Sequence, residues 1–180
     1  MRRVLGPIVS APLLIIYGIA ALAARPAASM GALAVTVAVG LTGALAVDPP
    51  VPLHGGAPRL RVLATLALGL GIFMVARWVY ATPAVPFGLV ALAASAVAAV
   101  AEEVFFRKFV YGWLARWGVP LAVGGAAVAF AIVHVPAYGV VALPIDVAAG
   151  LLFGWQRWAS GGWGVPALTH LAANVLQFLR

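Results

Sequence analysis

Residues 85–100, VPFGLVALAASAVAAV, carry no charge, and they run straight into residues 101–117, AEEVFFRKFVYGWLARW, where two glutamates, two arginines and a lysine stand among Phe, Tyr and Trp. The first part reads as a membrane span, because a hydrocarbon layer about 30 Å thick is crossed by roughly 20 apolar residues in a helix. The second part is the anomaly. An ionisable side chain at bilayer depth costs about 2.5–3.5 kcal/mol on insertion scales, so each one there needs a reason.

The rest of the chain repeats the first pattern. Of 180 residues, 65% are hydrophobic and 8% charged, with a mean hydropathy of +1.12, which is more apolar than the core of a soluble domain requires. Hydrocarbon offers no partner to exposed backbone N–H and C=O groups, and the runs are continuous and not alternating, so helices are expected and a barrel is not. Further apolar runs cover Ile8–Ala24, Met30–Val47, Leu60–Tyr80, Val119–Val135, Val140–Trp158 and Trp163–Leu179, with a Pro/Gly-punctuated loop at Asp48–Pro58. The expectation is an all-α, polytopic transmembrane helical bundle of about seven spans, forming one domain over residues 1–180. Its chemistry-bearing core covers about residues 85–180. The run at 8–24 follows Arg2 and Arg3 and imitates a secretory signal, but the next run begins almost at once, so it reads as a retained first helix.

Charge supplies the topology. The net charge is +7, yet the basic residues stand singly or in pairs at the ends of apolar runs, which fits membrane anchoring and not nucleic-acid binding. With a cytoplasmic N-terminus, Arg2, Arg3, Arg59, Arg61, Arg107, Lys108, Arg116 and Arg157 fall on the cytoplasmic side and Arg25, Arg77 and Arg180 on the other. Six tryptophans lie near the expected span ends, where an indole favours the interface. Cysteine is absent, which excludes disulfides, thiolate metal sites and a cysteine nucleophile. The Ala/Gly/Val bias, with Lys108 the only lysine, suggests a prokaryotic cytoplasmic (inner) membrane.

Few polar side chains remain inside the apolar segments: Glu102, Glu103, Arg107, His134, His170 and Asn174. Glu103 and Arg107 are four apart and share a helix face, as an ion pair requires. Glu102 is turned by about 100° and points elsewhere. His170 and Asn174 are also four apart, and His134 precedes Pro136, where its helix is expected to end or kink. A carboxylate with a histidine suits general-base activation of water. A second histidine with an amide suits an oxyanion that forms when water attacks a peptide carbonyl. Together they describe a hydrolase. Blander readings are a solvated helix end for the glutamates, a membrane anchor for Lys108, interhelical hydrogen bonding for His170 and Asn174, and close packing for Gly150 and Gly154. Asp146, after Pro144, reads as a helix N-terminal group, and His54 as a solvated loop residue.

At these positions the chain resembles the CAAX protease and bacteriocin-processing (CPBP) family of intramembrane endopeptidases. Glu102-Glu103-Val-Phe-Phe-Arg107 is similar to its EExxxR motif, Phe130-Ala-Ile-Val-His134 to FxxxH, and His170-Leu-Ala-Ala-Asn174 to HxxxN, in the same order. The resemblance implies a glutamate-dependent protease related to type II CAAX prenyl endopeptidases. Glu102 and His134 would activate water, His170 and Asn174 would stabilise the oxyanion, and Glu103 and Arg107 would support the site, with no cofactor or metal. The implied partner is a membrane-associated protein or peptide substrate in the lipid bilayer. Three rival readings use the same residues: a zinc metalloprotease, although HExxH is absent; a non-catalytic immunity or scaffold protein; and a proton-coupled transporter.

Overall fold

The computed structural model describes residues 11–25, 29–46, 57–80 and 88–179. Within them the chain forms seven helices and no strand: α1 (Ala11–Ala23), α2 (Met30–Leu45), α3 (Arg59–Tyr80), α4 (Leu89–Trp117), α5 (Val119–Tyr138), α6 (Val140–Ser160) and α7 (Gly164–Leu176). By length and composition α3, α4, α5 and α6 are able to cross a membrane, and α1, α2 and α7 are shorter apolar helices. The protein is an integral membrane helical bundle. Arg2, Arg3, Arg180, His54 and most of the expected 48–58 loop lie outside the described residues.

Two expectations about helix boundaries change. The described part of the span at 85–100 and the aromatic segment after it are one helix, because Glu102, Glu103 and Arg107 turn inward. Its middle, Val104–Val110, is π-helical, a widened geometry with i→i+5 hydrogen bonds that is frequent at functional sites. Helix α5 also continues through Pro136 to Tyr138. Proline removes one N–H but the surrounding turn survives, and the helix ends at Gly139, whose φ of 76° an L side chain adopts rarely.

Short connections alternate the helix directions. Gly118, Gly139 and Gly161–Trp163 are all that separates α4 from α5, α5 from α6 and α6 from α7. Close approach depends on missing side chains. A Cβ on Gly40 would lie 2.7 Å from the Ala101 Cβ, and one on Gly150 would lie 2.8 Å from the Ala127 Cα. Those contacts press α2 against α4 and α6 against α5, the small-residue packing that membrane helices favour.

The interior holds what the lipid-facing surface lacks. Phe105, Phe106, Phe130 and Phe153 are buried, whereas α3 turns Leu63, Leu68, Ile72, Met74 and Val75 outward. Gln156 on α6 is fully buried and its amide donates to the Thr65 carbonyl (3.0 Å) and the Thr169 hydroxyl (2.9 Å), joining α3, α6 and α7. Lys108 donates to the carbonyls of Gly43, Ala44 and Ala46, so it caps the C-terminal end of α2 instead of only anchoring the chain at an interface.

Candidate active site

The two adjacent glutamates of α4 face different surroundings. Glu103 has no exposed surface. Its Oε1 accepts from Arg107 Nη1 at 2.9 Å and from His170 Nδ1 at 2.9 Å. Arg107 is equally buried, and its Nη2 donates to the Gly150 carbonyl at 3.3 Å. The guanidinium carbon lies 4.6 Å from the Phe130 ring centroid and 5.0 Å from that of Phe153. Taking these charges out of water is costly, and the ion pair, the hydrogen bonds and the aromatic faces offset that cost. This cluster ties α4, α6 and α7 together and fixes the His170 ring, which also stacks on Phe153 with centroids 5.0 Å apart.

Glu102 points the other way, into a cavity of about 1210 Å³ that His134, His170 and Asn174 also line. Its Oε1 accepts from Arg25 Nη1 at 2.7 Å, and the same nitrogen reaches the Thr36 hydroxyl at 2.9 Å. Its Oε2 stands 3.8 Å from His134 Nε2. His134 Nδ1 donates to the Phe130 carbonyl at 2.7 Å, so in the neutral imidazole Nε2 is the acceptor that faces the carboxylate. Two acceptors at that separation can share one water, each at an ordinary hydrogen-bond length of about 2.8 Å. Asn174 Nδ2 donates to the Ser95 carbonyl at 3.3 Å, so one of its two N–H groups is held and the amide is oriented.

All three motifs therefore meet around one cavity. Residues 83–176, which contain every one of these motif positions, match the family described as type II CAAX prenyl endopeptidase, Rce1-like. The chain belongs to that family. It is a family of peptidases acting on membrane-associated proteins. No curated protein and no solved structure matches the chain.

Set against this endopeptidase family, the geometry separates the residues into two groups. Glu102, His134, His170 and Asn174 line the cavity, and Glu103 and Arg107 lie behind it. Asp146 sits in the first α-helical turn of α6, which begins at Leu143 after a 3-10 turn at Val140–Ala142, and also lines the cavity. Among the described residues no three His, Asp or Glu side chains form a group able to hold a metal ion.

One residue at the site went unread in the sequence. Arg25 looks like an anchor at the end of α1, yet it is the ion-pair partner of Glu102. A signal for it exists: Ala98, Ala99, Phe105 and Phe106 occupy the i±3 and i±4 positions around Glu102, so no partner comes from its own helix. A cation for this carboxylate has to come from another element. Arg25 lies two residues beyond α1, outside the matched segment.

Proposed function

We propose that this protein is an intramembrane endopeptidase of the glutamic type, in which Glu102 and His134 activate a water for attack on a peptide bond. The observation that carries this reading is the Glu102–His134 pair, two acceptors 3.8 Å apart on a cavity wall with their other polar atoms already engaged. A water between them donates one hydrogen to each, which turns its lone pairs toward a carbonyl carbon placed in the cavity.

As the oxygen attacks, one proton passes to Glu102 and the carbonyl becomes a tetrahedral oxyanion. Arg25 occupies the other carboxylate oxygen, so Oε2 receives the proton. The second N–H of Asn174 donates to the oxyanion. His170 joins it through Nε2 only as the imidazolium, since Nδ1–H is already given to Glu103, whose negative charge then faces a cation. Collapse of the intermediate breaks the C–N bond, and Glu102 returns its proton to the leaving amine. The substrate is a membrane-associated protein or peptide.

The test compares membrane-protein termini by mass spectrometry between cells carrying the wild-type chain and cells carrying Glu102→Gln at equal expression. New termini that depend on Glu102 identify both the activity and its substrate. Identical termini sink the proteolytic reading in favour of a partner-binding protein that keeps the family's fold.

A further inference from the structure

Helices α5 and α6 pack in a fixed antiparallel register. A Cβ on Gly154 would lie 3.2 Å from the Val123 Cα, and one on Gly150 would lie 2.8 Å from the Ala127 Cα. Four residues back along α6 therefore match four residues forward along α5. One further step sets Asp146 level with Ala131, and His134 stands three residues beyond, a rise of about 4.5 Å along the helix. Asp146, Gly150 and Gly154, spaced by four, share the face of α6 that meets α5. The His134 ring is held in place there. Its Nδ1 donates to the Phe130 carbonyl, and the ring stacks on Tyr138 with centroids 5.8 Å and planes 12° apart.

Asp146 interacts electrostatically with His134 and with Glu102 across the cavity that all three line. The other titratable or charged residues on that wall are Arg25, Arg77, Tyr138 and His170. Glu102 is paired with Arg25 and Glu103 with Arg107, whereas Asp146 has no ion pair among the described residues. A carboxylate that serves only the start of a helix accepts from the free N–H groups there. Asp146 Oδ2 is buried and accepts from none of the described residues.

We propose that Asp146 is a positioning residue that acts through His134, its carboxylate stabilising the imidazolium that forms when His134 takes the second proton of the attacking water. This rests on the proteolytic reading above. The first proton goes to Glu102 and returns to the leaving amine as the C–N bond breaks. The new carboxylic acid still carries the water's other hydrogen, directed at His134 Nε2. Its transfer leaves a carboxylate and an imidazolium, and the imidazolium then passes the proton to the amine. Water and the peptide bond are consumed, a carboxylate and an ammonium are released, and Glu102 and His134 return to their starting forms. At the imidazolium stage Glu102 is again held by Arg25 at 2.7 Å, so Asp146 supplies a negative charge that no arginine shares.

The chain has three histidines, so labelling histidine with a heavy nitrogen isotope lets NMR of the whole protein in micelles follow each imidazole, with His134 assigned by its loss in His134→Gln. Asp146→Asn and Asp146→Ser, two neutral replacements, are expected to lower the fraction of His134 imidazolium throughout its titration and to change His170, held by Glu103, far less. Asp146→Glu restores the charge and the fraction. In cells, the neutral variants should slow the appearance of Glu102-dependent termini by about tenfold, the effect on a rate of one charge interaction across a hydrated cavity, and Asp146→Glu should recover part of it. Unchanged His134 signals, or neutral variants that cleave at the wild-type rate, overturn the inference. A wild-type chain that yields no Glu102-dependent termini sinks the proteolytic reading, and the part of Asp146 in a reaction with it, while the His134 signals still report whether the carboxylate faces the imidazole.

Discussion

Helices α4 to α7 bury Glu102, Glu103, Arg107, His134, Gln156 and His170, whereas the described parts of α1 to α3 bury two threonines, Thr36 and Thr65, and contribute the half-buried Arg25. The first group contains every motif position and the second lies outside the segment that matches the family. The difference shows how a small membrane protein divides its work. One half concentrates costly polar groups where they satisfy one another, and the other supplies apolar cover together with Arg25, the cation that pairs with Glu102.

The sharpest way to break that comparison is to remove the pair on which the proposed chemistry depends. Glu102→Gln and His134→Ala are each expected to lower turnover by about 10⁴-fold, the upper range for general acid–base catalysis, while detergent-solubilised protein keeps its helical content. A variant that retains substantial turnover would relocate the chemistry.

Arg107→Ala attacks the same half through stability. It leaves Glu103 buried without its cation, an error worth about 3–5 kcal/mol, and should be read as a lower unfolding temperature in micelles with activity lost in parallel. Normal folding with no activity would give Arg107 a direct part. Asn174→Ala removes one oxyanion donor and should cost about 10²–10³ in kcat with KM little changed. A loss equal to that of Glu102→Gln would contradict the division between base and oxyanion roles.

Arg25 tests the other half. Losing a hydrogen bond between charged groups is worth about 1.5–3 kcal/mol, so Arg25→Ala should reduce kcat by roughly ten- to a hundredfold, with Arg25→Lys recovering part of it. An unchanged rate would reduce α1 to apolar cover. The smallest effect is expected at Lys108→Ala, which uncaps the C-terminal end of α2 and should cost about 0.3–1 kcal/mol of stability without touching turnover measured on the folded fraction.

Much of this architecture was legible before any coordinates. Apolar runs reveal helices because the bilayer imposes their length, and the i,i+4 spacing of Glu103 and Arg107 became the 2.9 Å ion pair. The spacing of Gly150 and Gly154 became the contact between α5 and α6. The remainder is tertiary. Nothing local distinguishes an arginine that anchors a helix end from one that folds back into a cavity, which is why Arg25 read as topology. The π-helical turn after Glu103 has no composition of its own, and Pro136 reads as a helix end until the neighbouring packing is known. The hydrogen bond from His170 to Glu103 spans α7 and α4, beyond any helical periodicity.

That last bond also sets a clock. His170 and Asn174 sit on α7, the final described helix to be synthesised, and the Glu103 that orients His170 waits two helices and more upstream. Chains fold progressively from the N-terminus as they are made, so Glu102 and His134 emerge before His170 and Asn174. On the proteolytic reading proposed above, the nascent chain would carry a base without a complete reaction centre until the last segment docks.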